Sequence, residues 1–429
     1  MTVLAVTDLA ARLAEAEARY ARANPESRRL HEQRARFMPG GNTRTTIHQP
    51  PFPLTIERGE GARITDADGH EYVDFLGEYT AGLYGHSHPV IVEAIRAALA
   101  DGIVLGAPNR YEAVLAEAVC SRFPAIDLVR FCNSGTEANL LALLLSRVVT
   151  GRSGVLVFSG AYHGGILLFA HGISPLNPPF PWVVGEYNDA AGAEQLIAEH
   201  AHELAAVIVE PVQGAAGVIP GDPGFLRALR EATAAHGLLL VFDEVMTSRL
   251  STGGMQQLLG IDPDLTTLAK FVGGGLSFGA FGGRADLMSR FDPSRPEALQ
   301  HGGTFNNDVL TMAAGAAGLT RVLTEAEIAR LNRLGDRLRD RLNAFAVERG
   351  IDFCATGHGS LVGLHFTRGP VRNEHDVPES AELRGLLHLH MLERGFSYGR
   401  RGFVALSLPL GEPEIDGFAA ATEEFLATV

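Results

Sequence analysis

From about Val129 to Phe281 the chain repeats one pattern: a short β-rich apolar run, a turn containing glycine, then usually a segment with helical spacing. The runs Val129–Cys132, Val155–Phe158, Trp182–Val184, Ala206–Val209, Leu238–Phe242, Leu265–Leu268 and Ala280–Phe281 predict seven strands. Strands that are apolar on both faces bury both faces. The pattern therefore predicts an α/β fold, with a mostly parallel seven-stranded sheet between layers of helices in a large domain.

The flanking segments differ in character. After Asp308 the sequence changes to long Leu/Arg/Glu-rich helices, Met312–Val322 and Thr324–Arg349, and then to alternating segments around Ser360–Phe366 and Phe403–Leu408. This predicts a smaller α+β domain over 308–429, after a large domain over 73–307. Residues 1–72 hold an Ala-rich amphipathic helix, the Gly/Pro-rich stretch Met38–Arg44, and two short strands flanking the turn Asp66-Ala67-Asp68-Gly69. That segment is expected to pack with the small domain.

Net charge narrows the partners. With 36 Lys and Arg against 50 Asp and Glu, the formal charge is −14, which disfavours nucleic-acid phosphates and anionic membrane surfaces and favours a small-molecule substrate. Three widely spaced cysteines offer neither a disulfide framework nor a CxxC metal site, so a reducing cytoplasm and no metal are expected. The N-terminal helix lacks the apolar core of an export signal, and no apolar run approaches the ~20 residues of a membrane span.

Open parallel sheets bind ligands beyond the carboxyl ends of their strands. Ser134, His163, Glu210, Asp243 and Lys270 each follow one of the apolar runs, so parallel strands bring all five to one rim. Asn133-Ser134-Gly135-Thr136-Glu137-Ala138 opens a helix with small residues, the arrangement that offers free backbone N–H groups to a phosphate; simple capping by Ser134 or Thr136 is the alternative. Asp243 ends a fully apolar strand, where a carboxylate needs a cationic partner such as a protonated pyridine nitrogen, another side chain or a metal. Lys270 lies between an apolar strand and Gly273-Gly274-Gly275; a desolvated lysine has a freed amine, and the glycines are expected to admit a bulky ligand, the alternative being a surface lysine.

Phosphate cup, strand-ending aspartate and glycine-flanked lysine, in that order, resemble the fold-type-I enzymes that use pyridoxal 5′-phosphate (PLP). Finer motifs resemble the class III aminotransferases: Gly85-His86-Ser87-His88-Pro89, Tyr162-His163-Gly164, Glu210-Pro211-Val212-Gln213-Gly214, Asp243-Glu244-Val245-Met246 and Gly302-Gly303-Thr304-Phe305. The resemblance implies that Lys270 holds the cofactor as a Schiff base and that Ser134, Gly135 and Thr136 hold its phosphate. It further implies that Tyr162 stacks on the ring, Asp243 binds the pyridine nitrogen, Val245 or Met246 packs the opposite face, and Gln213 approaches the phenolic oxygen. Glu210 orients its neighbours, and Thr304 reaches the phosphate of the other subunit of a homodimer. His163 is a stacked or supporting residue, and His86 and His88 take structural roles.

Met38-Pro39-Gly40-Gly41 and the run Gly273–Arg284 resemble the glutamate-1-semialdehyde aminomutase branch. Glu78-Tyr79-Thr80-Ala81-Gly82, Phe305-Asn306-Asn307 and Arg401–Leu410 resemble its aromatic β-amino-acid (β-phenylalanine) aminotransferases. The resemblance implies ping-pong transfer of the amino group of a 3-amino-3-arylpropanoate to a 2-oxo acid such as 2-oxoglutarate. Arginine suits the carboxylates, and Arg44 and Arg401 are the candidates; Tyr79, Tyr84 and Phe305 are candidates for receiving the aryl group. A glutamate-1-semialdehyde 2,1-aminomutase, an ω-amine transaminase and a catalytically silent PLP-binding protein are the competing readings.

Overall fold

The computed structural model describes residues 3–429; Met1 and Thr2 of the segment 1–72 lie outside the described residues. All seven predicted strands are present in one sheet, in the order 128–132, 279–283, 265–269, 239–243, 204–209, 154–158, 182–185. Only Gly279–Gly283 runs antiparallel to its neighbours, and the other pairings are parallel. Alternate residues feed two cores. Val155, Val157, Ala206, Ile208 and Val241 face the helix Gly135–Thr150. Leu156, Phe158, Val207, Val209 and Phe242 pack with residues of the helices Ala190–His200 and Pro223–His236 on the other face. The period-2 arrangement with both sides apolar is what makes these strands central rather than half-solvated.

At the C-terminal end, the long helix Glu325–Arg349 packs on the antiparallel sheet of Cys354–His358, Leu361–His365 and Phe403–Ala405. The helix Val3–Ala23 lies against Ala381–Glu393, and the strands Ile56–Glu60, Arg63–Asp66 and Glu71–Asp74 form a second sheet with Phe396–Ser397. Two strands flank the Asp66–Gly69 turn as the sequence predicts. The third, Ile56–Glu60, escapes the pattern because it is an exposed edge with one apolar residue in five. The expected helix Met312–Val322 begins earlier, at Val309, and gives way to a π turn from Gly318, where a Cβ would fall 2.6 Å from the Tyr84 hydroxyl.

The triple glycine serves a purpose other than the one its composition suggests. A Cβ on Gly273 would lie 2.2 Å from Phe278 Cβ, and one on Gly274, whose φ is +70°, 2.5 Å from Ala314. Gly273 and Gly274 admit the Phe278 side chain and the helix Val309–Ala317, a close approach of the protein to itself, whereas a Cβ on Gly275 (φ +90°) would meet only the Ala81 carbonyl, at 3.7 Å. The effect on Lys270 is indirect: the turn that carries it is pinned against a helix. One buried arginine joins the two parts of the molecule near this point. Arg249, shortly after the strand Leu239–Asp243, donates from Nε to Ser360 Oγ (3.0 Å) and from Nη2 to the carbonyl of Leu406.

Candidate active site

The parallel strands place Asp243, Glu210 and Lys270 on one rim, and the helix Gly135–Thr150 and the loop after Phe158 meet them there. Asp243 is 4% exposed. Its Oδ2 accepts from His163 Nδ1 and from Asn139 Nδ2, each at 2.8 Å, and its Oδ1 accepts from the Val245 amide at 3.0 Å. A carboxylate has about four acceptor positions, so one position on Oδ1 stays open toward the rim.

Glu210 is buried and accepts from the amides of Tyr162 (2.9 Å) and Gly214 (3.0 Å), so it ties the Tyr162 loop to the Gln213 turn. Burial pushes its carboxyl up to about 7, against the opposing pull of His163. Gln213 donates to the carbonyl of Ser159 at 2.9 Å, while its buried Oε1 has no partner within the chain. An orphaned acceptor next to a site calls for a donor from a ligand.

Lys270 follows its strand with φ +59°, a left-handed conformation that costs a non-glycine residue about 1 kcal/mol or more and is typical of functional sites. Its Nζ donates to the carbonyl of Tyr79 at 2.6 Å. Desolvation lowers its pKa to about 8, even though the negative charges of Asp243 and Glu210 act the other way; the cation of Arg249 adds to the lowering. An amine with that pKa is about one-tenth unprotonated at pH 7, far more than an ordinary lysine, and so is available as a nucleophile or base.

At the helix start, Ser134 Oγ accepts from the Glu137 amide at 3.1 Å, the capping geometry. The amides of Gly135 and Thr136 precede the first helical hydrogen bond and have no carbonyl one turn back to bond. The loop after Phe158 clamps on the same point: Gly165 N donates to Thr136 Oγ1 at 3.2 Å, and a Cβ on Gly164 (φ +133°) would lie 2.2 Å from that oxygen. Val245 lies over Gly135, 3.1 Å from where its Cβ would stand, and Met246 covers Gly214. Tyr162 is 40% exposed above this floor. Open amides, an open carboxylate position, an orphaned Gln213 oxygen and a freed amine together fit PLP's phosphate, pyridine nitrogen, phenolic oxygen and aldehyde.

Beside this floor lies a cleft of about 840 Å³, lined by Arg44, Glu78, Tyr79, Tyr162 and Arg401. Arg44 pairs with Glu78, both about half exposed. Arg401 is exposed and has no carboxylate within ion-pair distance among the described residues, whereas its neighbour Arg400 is held by the carbonyl of Pro50 at 2.9 Å. The Tyr79 hydroxyl donates to the carbonyl of Thr46 at 3.1 Å, and its ring lies 5.4 Å from that of Phe403.

Two candidates for the aryl group stand elsewhere. Tyr84 is 3% exposed, packs edge-on against Phe271 and borders a separate cavity with His86 and His88. Phe305 is 63% exposed, next to the exposed Thr304. His86 bonds Asp74 at 3.0 Å, and Asp74 in turn holds the amides of Leu76 and Gly77 at the start of the Glu78–Thr80 loop.

Asn139 is the residue that sequence reasoning passed over. It stands with Ala138, Ala142, Leu143 and Ser146 on the buried face of its helix, and a lone amide on an apolar stripe is the signal that marks it. Among the described residues, no group of three or more His, Cys, Asp or Glu side chains is placed to hold a metal, and no helix is long and apolar enough to cross a membrane.

Comparison with known proteins agrees with this geometry. The chain is 52% identical over 415 residues to the beta-phenylalanine transaminase of Variovorax paradoxus, covering 96% of this chain and 95% of that protein. It is 39% identical over 424 residues to the glutamate-1-semialdehyde 2,1-aminomutase of Sorangium cellulosum, covering 94% and 96%. The crystal structure of the beta-phenylalanine aminotransferase from Variovorax paradoxus matches with a TM-score of 0.96 at 51% identity over 98% of both chains. Residues 45–393 match the family described as aminotransferase class III, and the chain belongs to that family of PLP-dependent transaminases.

Proposed function

We propose that this enzyme moves the amino group of an aromatic β-amino acid, of the 3-amino-3-arylpropanoate type, to a 2-oxo acid such as 2-oxoglutarate. The observation that carries the reading is the cleft that places Arg44, Tyr79 and Arg401 together beside Lys270, in a chain 52% identical to a beta-phenylalanine transaminase. When bound, PLP supplies an aldehyde that condenses with amines and a protonated ring that accepts the electrons of the broken C–H bond.

Lys270 is the proposed anchor and base: its unprotonated amine would take the proton from the substrate carbon bearing nitrogen and deliver it to the cofactor's aldehyde carbon, which leaves the amino group on the cofactor. Asp243 uses its open position to hold the pyridine nitrogen. Gln213 Oε1 would accept from the phenolic hydroxyl, and Glu210 keeps Gln213 and Tyr162 in place. Ser134, Gly135 and Thr136 receive the phosphate, Tyr162 covers one ring face, and Val245 or Met246 covers the other. Arg44 and Arg401 bind carboxylates by their planar forks, and the face of Tyr79 receives the aryl group. Both half-reactions share the cleft, so one arginine is free to serve the donor and the other the acceptor.

The division into a segment 1–72, a PLP domain 73–307 and a small domain 308–429 belongs to the same proposal, as does a homodimer. Ile103, Val104, Leu105 and Phe305 are 50–81% exposed. Asn109 and Asn307 tie their two loops together (2.8 Å), so these residues share one apolar face fit for a second copy that offers Thr304 across the interface. Three free thiols suit a reducing cytoplasm.

The test is a panel of α-, β- and ω-amino donors assayed with 2-oxoglutarate and with pyruvate. The proposal expects the highest kcat/KM for 3-amino-3-phenylpropanoate and no isomerisation of glutamate-1-semialdehyde without an acceptor. Preference for a donor without a carboxylate contradicts it.

A further inference from the structure

We propose that Asn139 and Thr267 are positioning residues that aim the Asp243 carboxylate at the cofactor's pyridine nitrogen. The inference rests on the proposed role of Asp243 and adds two residues to it. Both are buried, at 1% and 0% exposure, and neither lines the cleft.

The register of the sheet sets the arrangement. Thr267 is the partner of Asp243 on the adjacent parallel strand, and Asn139 reaches both from the helix packed over them. The Thr267 hydroxyl donates to Asn139 Oδ1 at 2.6 Å. The two hydrogens of Asn139 Nδ2 go to Asp243 Oδ2 (2.8 Å) and to the backbone carbonyl of His163 (2.9 Å). Only one orientation of the amide works. Flipped, its oxygen faces a carboxylate and a carbonyl; the His163 carbonyl loses its donor, and Asp243 Oδ2 keeps only the bond from His163. The Thr267 hydroxyl, the sole donor on the other side, favours the working orientation.

The consequence appears at Asp243. Asn139 and His163 together fill Oδ2, and Val245 N takes one position on Oδ1. The carboxylate cannot turn without breaking three N–H bonds in a buried site, so its remaining lone pair is held in one direction, the one in which it would meet the pyridine nitrogen. Removing Asn139 leaves Oδ2 with the His163 bond alone and frees the carboxylate to rotate. Removing the Thr267 hydroxyl leaves the Asn139 amide free to flip and has the same effect more weakly.

The experiment uses the holoenzyme loaded with PLP labelled with ¹⁵N in the ring, comparing wild type, Asn139→Ala, Thr267→Val and Thr267→Ser. The readouts are the ring-nitrogen chemical shift, the rate of cofactor dissociation, and kcat and KM for the amino donor. We expect Asn139→Ala to move the ring nitrogen toward its unprotonated shift and to lower kcat about tenfold to hundredfold, the range of one hydrogen bond to a charged group, with KM nearly unchanged. Thr267→Val moves the same way by less, and Thr267→Ser, which keeps the hydroxyl, restores wild-type values.

Wild-type shift and kcat in both Asn139→Ala and Thr267→Val overturn the proposal, as does equal damage in Thr267→Ser and Thr267→Val. Should Asn139→Ala fail to fold, the threonine pair decides. Asp243→Asn separates the two levels: a protonated ring nitrogen in that variant refutes the role given to Asp243 itself. Loss of the proton there, with none in the Asn139 and Thr267 variants, refutes only the positioning.

Discussion

The floor proposed to receive the cofactor and the cleft beside it are built by opposite means. Around Asp243 the side chains of Asn139, His163 and Thr267 are buried, come from a packed strand, the helix over it and the loop after Phe158, and have their hydrogen bonds largely made within the chain. Arg44 and Arg401 are exposed and sit on loops from opposite ends of the sequence, and Arg401 has no carboxylate within ion-pair distance among the described residues. The span matching the family, 45–393, contains the whole cofactor floor and stops just short of both arginines. On the proposed reading, the difference teaches where each property resides: shared chemistry in a rigid floor, and substrate choice in loops that can change without disturbing it.

If the division is right, damage to the floor and damage to the cleft have different signatures. The largest effect is expected from Lys270→Ala: the visible absorbance of the lysine-bound cofactor disappears and turnover falls by more than about a thousandfold, as measured by spectrophotometry and a coupled assay. Next, Arg44→Ala raises KM for carboxylate substrates about tenfold to hundredfold while leaving the cofactor dissociation rate unchanged. Equal loss of substrate and cofactor binding erases the boundary between floor and cleft.

A smaller effect concerns pH. The Lys270 amine titrates at about 8, so capture of PLP by the apoenzyme speeds up as pH rises and levels off above about 8. An exposed lysine keeps gaining up to its ordinary value near 10.5, and stopped-flow absorbance distinguishes the two profiles. The smallest effect is expected from Glu78→Gln. It releases Arg44 from a half-exposed ion pair and lowers KM for the donor by at most about fivefold, the range of such pairs.

Legibility from sequence follows the same division. Asp243, Glu210 and Lys270 were readable because each ends an apolar run, and a parallel sheet has only one place to bring such ends together. The seven strands were readable because both faces of each are apolar. Ile56–Glu60 was not, since an exposed edge strand carries no hydrophobic alternation. The glycines after Lys270 were noticed, but their reason was not, because the helix they accommodate starts more than thirty residues later.

Arg249 and Asn139 show a further limit. Each is a polar residue whose partners, Ser360 and Leu406 for one and Asp243 and Thr267 for the other, lie about a hundred residues or more away in the chain. Composition marks such residues as unusual, and only the folded sheet says what they hold. Tyr84 and Phe305 show the same limit: aromatic character near a motif does not say that one ring lies in the core and the other on an exposed loop.

The most direct test of the account is a single turnover of the PLP-loaded enzyme with 3-amino-3-phenylpropanoate and no oxo acid. The account predicts that the absorbance of the lysine-bound cofactor is lost with one equivalent of 3-oxo acid formed per site, and that 2-oxoglutarate then restores it. An unchanged spectrum with this donor, together with a full response to an amine lacking a carboxylate, contradicts it.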